Sequence, residues 1–157
     1  MNPHKYRTGV RVLGIDLGAR RIGVAVSDSS GTVATPLTVI HRSRSRRTDH
    51  EAIARLVRDE EAVAVVVGLP LNMDGSRGPA ARAAVIEAEV LGTVVDVPVH
   101  LHDERLTTVT AERALREGGV RGKDRRSVVD KVAAAVLLQG WLDAHGDRRD
   151  SGGGGKQ

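Results

Sequence analysis

Carboxylates occupy the positions of this sequence that best suit chemistry, and the first of them is Asp16. It ends the apolar run 11–16, and Gly18 follows two residues later. A carboxylate at the end of a strand beside a glycine allows a phosphate or a metal ion to approach the backbone closely. An Asp at such a place also commonly starts a β-turn, so the spacing alone leaves both roles open.

Asp103 and Glu104 form a second acidic position, at the end of the apolar segment 97–103. If this segment is a strand that runs parallel to the first, Glu104 lies at the same edge of the sheet as Asp16. Successive strand residues point to opposite faces, so only one of the two acids is expected to face inward. Acids that precede a helix also interact favourably with its dipole, which offers a structural role for the pair.

Helical periodicity places the third acid, Asp130. It shares one helical stripe with the apolar residues Ala134, Leu137 and Trp141. A carboxylate on an apolar face is unfavourable unless it is paired or bound to a metal ion, and no Arg or Lys lies on this stripe. Ser127 and Asp130 also fit a capping box, which is the structural alternative.

Convergence of Asp16, Glu104 and Asp130 at one sheet edge would create a repulsion that a cation relieves. Because the chain has no Cys and carboxylate oxygens are hard ligands, the predicted cofactor is Mg²⁺ or Mn²⁺ rather than zinc. Such sites activate water and stabilise the leaving oxygen in phosphodiester hydrolysis. His100 and His102 offer a competing transition-metal site with Glu104, but polar side chains near a strand end are usually solvated.

Basic residues flank two of these acids, since Arg20 and Arg21 follow Asp16 and a basic cluster at 121–126 precedes Asp130. Positive loops beside an acidic site suit a polyanionic substrate held over a metal ion. The residues predicted to position phosphates are Arg20, Arg21, Arg105, Arg121 and Lys123.

The composition restricts how nucleic acid could be bound. The formal net charge of the 157 residues is +4, and the only aromatic residues are Tyr6 and Trp141. Stacking on aromatic side chains, which single-strand binders use, is therefore almost unavailable. Contacts to phosphates and to the shape of the nucleic acid are expected instead. The basic run 41–47 is interpreted as a solvated surface.

Apolar patterning predicts the elements that position these residues. Three closely spaced strands come first, and helices then alternate with strands. The predicted strands are 11–16, 22–28, 32–40, 62–68 and 97–103, and the predicted helices are 49–60, 80–91, 107–117 and 127–145. This order predicts an α/β, RNase H-like fold: a five-stranded mixed sheet, with three antiparallel strands and then parallel ones, and helices on both faces.

One domain is expected at 10–146, between a flexible N-terminal arm at 1–9 and a disordered tail at 147–157. The absence of Cys excludes disulfides and thiolate metal sites. No apolar run approaches the length of a membrane span, and the N-terminus lacks the apolar segment of a secretory signal, so the predicted location is cytoplasmic. The common dinucleotide and Walker A phosphate motifs are absent.

Four spaced segments resemble, in order, the sequence blocks of the YqgF family: GIDLGARRIGVAVSD, VVVGLPLNMDGSRGP, HDERLTT and SVVDKVAAAVLLQGWLD, within residues 11–144. The resemblance implies an RNase H-like fold and a metal-dependent nuclease that matures the 5′ end of 16S rRNA, with Asp16, Glu104 and Asp130 as its acidic residues. Relatives in the wider RNase H-like group carry the second acid at the end of the fourth strand. Here that strand ends in VVVGLP, so Asp103, Glu104 and Asp74 compete for the role.

The leading functional hypothesis is an endonuclease that acts on structured RNA. The alternatives are a resolvase of four-way DNA junctions and a catalytically silent nucleic-acid-binding module. Resolvases usually act as dimers, and both a monomer and a homodimer stay open here. The segment IDLG also resembles the phosphate loop of sugar kinases and actin-like ATPases, but those enzymes need two such domains.

Overall fold

The computed structural model describes residues 10–105 and 122–154, with side-chain surroundings for residues 10–105 and 127–145. The predicted helix 107–117 and Arg121 lie outside the described residues, and only the backbone of Lys123 is described. The strands are β1 (Val12–Leu17), β2 (Arg21–Ser27), β3 (Ala34–His41), β4 (Ala64–Leu69) and β5 (Val99–Asp103). The helices are α1 (Arg46–Asp59), α2 (Pro79–Val94) and α3 (Gly122–Gly154).

The strands form one mixed sheet in the order β3-β2-β1-β4-β5. Strands β1, β2 and β3 are antiparallel neighbours, whereas β1, β4 and β5 run parallel to one another. This topology confirms the predicted sheet of three antiparallel strands followed by parallel ones. Pro36 lies in the edge strand β3, as expected for a residue without a backbone N–H.

Helices cover both faces of the sheet, as predicted. Along β1, Leu13 and Ile15 point to the face covered by α1 and α2, while Val12 packs on the opposite face against α3. The buried residues that α3 contributes to this second face are Ala134, Ala135, Leu138, Trp141 and Leu142. The alternation follows from the pleat of the strand, which sends successive side chains to opposite faces.

Glycines allow α3 to lie unusually close to the sheet. A Cβ added at Gly14 in β1 would lie 2.7 Å from Leu138 Cβ and 2.9 Å from the Ala134 carbonyl oxygen. A Cβ added at Gly23 in β2 would collide with the carbonyl oxygen of Asp130. Helix α3 is therefore docked on strand backbone, and this close approach brings Asp130 to the edge of the sheet where β1 ends.

Helix α1 begins earlier than the sequence predicted. Its N-cap is Ser45, whose side chain accepts a hydrogen bond from the Thr48 backbone N–H at 3.2 Å. The predicted helix start at residue 49 is therefore wrong, because Ser45 supplies the capping oxygen and α1 begins at Arg46. Glu51 pairs with Arg47 one turn away.

Helix α3 is longer than the predicted helix 127–145. It begins at Gly122, inside the segment that was predicted as a basic loop, and its backbone continues to Gly154, through part of the predicted tail. Gly146, the residue directly after the predicted helix, lies inside α3. A single glycine inside a helix costs only about 1 kcal/mol relative to alanine, so it does not by itself stop one.

Candidate active site

Asp16 lies where the central strand β1 ends. It faces Gly23 of the neighbouring strand, and the backbone of Asp130 packs against that glycine. Burial, and to a lesser extent the nearby charge of Asp130, raise the pKa of Asp16 to about 6. The structure therefore brings Asp16 and Asp130 within electrostatic reach of each other, from opposite ends of the described chain.

Glu104 approaches Asp16 from the other side. Its backbone N–H donates to the Leu69 carbonyl at the end of β4, at 3.3 Å, and its carboxylate lies against Gly68. Burial, and to a lesser extent the charges of Asp16 and Asp103, raise the pKa of Glu104 to about 7. Asp16 is thus bracketed by the other two predicted acids at the carboxyl edge of the parallel strands.

Gly68 makes room for this arrangement. It is the residue beside Asp16 on β4, because β1 and β4 are paired in parallel with Ile15 opposite Val67. A Cβ at this position would collide with a carboxylate oxygen of Glu104 and lie 3.2 Å from Leu137. The Glu104 side chain therefore occupies the space beside Gly68 at the end of β4.

Asp103 and Asp74, the two alternatives to Glu104, accept hydrogen bonds from residues close to them in sequence. Arg105 donates to Asp103 through Nη2 at 2.6 Å and through Nε at 2.9 Å, and these bonds hold the pKa of Asp103 below its usual range. Asp74 accepts hydrogen bonds from Ser76 Oγ at 2.6 Å and Ser76 N at 2.9 Å. The geometry therefore favours Glu104 as the acid that faces Asp16.

Asp130 has a partner that the helical stripe did not reveal. Arg21 of β2 donates through Nε to the Asp130 carboxylate at 2.6 Å, and about one fifth of the Asp130 side chain is exposed (19%). The guanidinium comes from a residue 109 positions away, so no local pattern could have shown it. Arg21 was predicted to position phosphates, whereas in this structure it neutralises one of the three acids.

The other predicted basic residues differ in their surroundings. Arg20 is exposed in the turn between β1 and β2, beside Asp16. Arg105 is joined to Asp103 and also donates to the Met73 carbonyl at 3.4 Å. Among the predicted phosphate-binding arginines that the structure describes, Arg20 is therefore the one most open to a phosphate near Asp16.

The histidine alternative receives no support. The ring of His100 stacks on Trp141 with centroids 5.5 Å apart, and Trp141 stacks in turn on His145 at 4.0 Å. Among the described side chains, those of residues 10–105 and 127–145, no three His, Cys, Asp or Glu converge as ready metal ligands. Asp130 is turned to Arg21.

A cavity of about 280 Å³ opens between the two acids and helix α2. Arg42 and Glu87 lie in its wall together with Asp16, Gly18 and Glu104. The remaining wall consists of mostly small, apolar residues of α2, of the ends of β1 and β4 and of neighbouring loops. The sequence did not lead us to predict a role for Glu87, and Arg42 was interpreted as part of a solvated basic surface. A signal for Glu87 was present, because it lies on the same buried face of α2 as Ala84, Ala88 and Leu91.

A family model described as "RuvX: Holliday junction resolvase" matches residues 10–144. The chain belongs to the RuvX family. The match covers the same stretch as the four sequence blocks and confirms the resemblance drawn from them.

RuvX relatives with curated names cover most of this chain. A protein of Rhodococcus jostii named "Putative pre-16S rRNA nuclease" is 49% identical over 150 residues, which are 91% of this chain and 84% of the relative. A protein of the same name from Anaeromyxobacter sp. is 52% identical over 134 residues, 85% of this chain and 97% of the relative. Among solved structures, Thermus thermophilus RuvC in complex with a Holliday junction substrate is similar with a TM-score of 0.49 and 20% identity, over 87% of this chain and 95% of that one.

Proposed function

We propose that this chain is a metal-dependent endonuclease that hydrolyses phosphodiester bonds in structured nucleic acid, and that its substrate is the 5′ end of precursor 16S rRNA. The observation that carries the proposal is the bracketing of Asp16 by Glu104 and Asp130, with raised pKa values at Asp16 and Glu104. The substrate is carried over from the curated names of relatives about half identical to this chain.

A divalent cation suits Asp16 and Glu104. Both are partly buried carboxylates, and the charge of Asp16 raises the pKa of Glu104, so a cation that replaces their protons would relieve the repulsion. Asp130 would complete the ligand set after its carboxylate separates from Arg21. Mg²⁺ or Mn²⁺ held by these three residues would supply an activated water and stabilise the leaving oxygen.

The remaining residues of the site bind and orient the substrate. Arg20, exposed at the turn after Asp16, is placed to pair with a phosphate of the backbone. The cavity beside Asp16 and Glu104 offers small apolar side chains, among them Ala80 and Ala83, that can accommodate a sugar or base next to the phosphate that is cleaved.

Cleavage of four-way DNA junctions is the second candidate, and the description of the matching family favours it. The chemistry would be the same, and only the shape of the substrate would differ. A resolvase would in addition act as a dimer, so that two strands are cut symmetrically, whereas an rRNA-processing enzyme can act as a monomer.

A substrate comparison separates these candidates. The purified chain is incubated with a precursor 16S 5′ leader, a four-way DNA junction and a linear duplex, each with Mg²⁺, Mn²⁺ or EDTA. We expect metal-dependent cuts near the mature 5′ end, with a kcat/KM above that for the junction. Preference for the junction, cut symmetrically, would establish the resolvase instead. Binding without cleavage of any substrate would contradict an enzyme and favour a binding module.

The proposed location is cytoplasmic, where precursor rRNA is available. None of the helices in the described part of the chain is long and apolar enough to cross a membrane.

A further inference from the structure

Arg42, the first residue after β3, is joined to the turn that follows Asp16. Its backbone N–H donates to the Arg20 carbonyl at 2.9 Å, and its Nε donates to the Gly18 carbonyl at 2.7 Å. Gly18 in turn donates its N–H to the carbonyls of Asp16, at 3.1 Å, and Arg21, at 3.0 Å. Arg42 therefore holds two carbonyls, those of Gly18 and Arg20, in the tight turn that follows the central acid Asp16.

Glu87 fixes the orientation of the Arg42 guanidinium. Its two carboxylate oxygens accept from Nη1 and Nη2 of Arg42 at 2.8 and 2.9 Å, the two-bond geometry that holds a guanidinium most firmly. With Nε bound to Gly18, all three nitrogens of the Arg42 fork are engaged. Rotation of the guanidinium would break at least two of these bonds.

His50 of α1 also contacts Glu87. Its Nε2 lies 2.8 Å from the Glu87 Oε2 that Arg42 Nη1 also binds, and His50 is fully buried. Burial by itself would raise the pKa of Glu87, but the hydrogen bonds from Arg42 and His50 hold that pKa below its usual range. The network thus keeps a buried carboxylate charged and joins α1 and α2 to the Asp16 turn.

Stability alone gives little reason for such a network. A buried ion pair gains little over well-packed apolar side chains of similar volume, because both charges must be removed from water. Arg42 and Glu87 also line the cavity beside Asp16 and Glu104. The network extends from His50 of α1 to the wall of this cavity, so it can fix the positions of the residues that surround Asp16.

We infer that Arg42, Glu87 and His50 are positioning residues that hold the turn after Asp16 in the conformation that catalysis requires. The inference rests on the proposed nuclease function. Glu87 and His50 act through Arg42, and Arg42 acts through the carbonyls of Gly18 and Arg20, so none of them needs to touch the reacting phosphate. Loss of the network should slow the chemical step more than it weakens substrate binding.

Glu87→Gln is the central test, because it removes the charge and keeps the shape. Glu89→Gln, an exposed glutamate on the same helix, is the matched control. We expect Glu87→Gln to lower kcat roughly 10- to 100-fold, the scale of a misplaced catalytic group, with KM for the nucleic acid changed less than about 3-fold. Glu89→Gln should match the wild type. A Glu87→Gln kcat within about 2-fold of the wild type would overturn the inference.

Arg42 variants test the fork itself. Arg42→Lys keeps the charge but cannot bind Gly18 and Glu87 together, so it should lose kcat as Glu87→Gln does. Methylguanidinium added to Arg42→Ala should restore part of the lost kcat, and it should not accelerate the wild type. Wild-type kcat in Arg42→Lys, or no rescue of Arg42→Ala, would count against the inference.

Hydrogen exchange decides the inference independently of activity. The amides of Gly18 and Arg42 report the turn, and the amide of Val65, which donates to the Pro98 carbonyl, reports the core. In Glu87→Gln we expect the first two amides to exchange about 10-fold faster or more, with Val65 unchanged. Unchanged exchange at Gly18 and Arg42, or equal acceleration of all three amides, would contradict a local positioning role. If the wild type cleaves none of the substrates, the proposed function fails, and this exchange pattern still decides the role of the network.

Discussion

At the scale of single residues, the site depends on how Asp16, Glu104 and Asp130 are neutralised. Burial and the charge of Asp130 raise the pKa of Asp16 to about 6, and burial and the charges of Asp16 and Asp103 raise the pKa of Glu104 to about 7. The Arg21 guanidinium lies against the carboxylate of Asp130. A cation bound at the site would thus replace protons at Asp16 and Glu104 and compete with Arg21 for Asp130.

Arg21→Gln tests which of its two possible roles Arg21 has. Without the guanidinium, the charge of Asp130 is uncompensated beside Asp16, so we expect Mn²⁺ to bind roughly 10-fold more tightly in calorimetric titrations. The exposed neighbour Arg20 supplies the control. Arg20→Gln should leave Mn²⁺ affinity unchanged and weaken nucleic-acid binding. Unchanged Mn²⁺ affinity in Arg21→Gln would indicate that Arg21 does not compete with the metal.

The sequence could indicate where acids lie, because Asp16 and the pair Asp103 and Glu104 end apolar segments and Asp130 lies on an apolar helical stripe. The choice of Glu104 over Asp103 and Asp74 came from the family resemblance and not from a local pattern. The cations that surround them could not be found in this way. Arg21 and Asp130 are 109 positions apart, and Arg42 and Glu87 are 45 apart, so only the packing of the elements brings the partners together.

At the scale of elements, the site exists because β1, β4 and β5 run parallel and end at one edge. Their order was predictable from the alternation of apolar segments, and so was the mixed sheet. The close docking of α3 was predictable only in part, from its alanines, because Gly14 and Gly23 have to face it across the sheet. The start of α1 was misplaced because Ser45 and Thr48 are both competent caps.

Gly68→Ala tests whether the end of β4 requires a residue without a side chain. The added Cβ would meet the Glu104 carboxylate, which can move because it is the end of a flexible side chain. We therefore expect a loss of cleavage rate of about 10-fold or more with little change in Tm. Gly92→Ala in α2, whose Cβ would have its nearest neighbour at 3.9 Å, should leave the rate unchanged. Wild-type cleavage by Gly68→Ala would show that Glu104 has no required position.

At the scale of the whole molecule, the acidic cluster should make the metal-free protein depend on pH. Since the pKa of Glu104 is raised on folding, the folded state binds more protons than the unfolded state between about pH 4.5 and pH 7. The free energy of unfolding should therefore fall as the pH rises through this window. Burial lowers the pKa of His102, which acts in the opposite direction, so the contribution of Glu104 has to be isolated by a variant.

Glu104→Gln isolates that contribution. The difference in unfolding free energy between this variant and the wild type should grow in favour of the variant from pH 5 to pH 7.5. For a partly exposed group we expect a change on the order of 1 kcal/mol in urea unfolding without metal. Saturating Mn²⁺ should stabilise the wild type more at pH 7.5 than at pH 5, because protons and metal compete. A difference independent of pH would contradict the raised pKa.

The central claim, that Asp16 organises metal-dependent cleavage, is tested most directly by single-turnover cleavage of the precursor 16S 5′ leader by Asp16→Asn. Asp96→Asn, an exposed aspartate outside the site, serves as the control. We expect Asp16→Asn to cleave at least about 100-fold more slowly than the wild type, Asp96→Asn to match it, and EDTA to abolish all cleavage. Cleavage by Asp16→Asn at the wild-type rate, or wild-type cleavage that persists in EDTA, would contradict the claim.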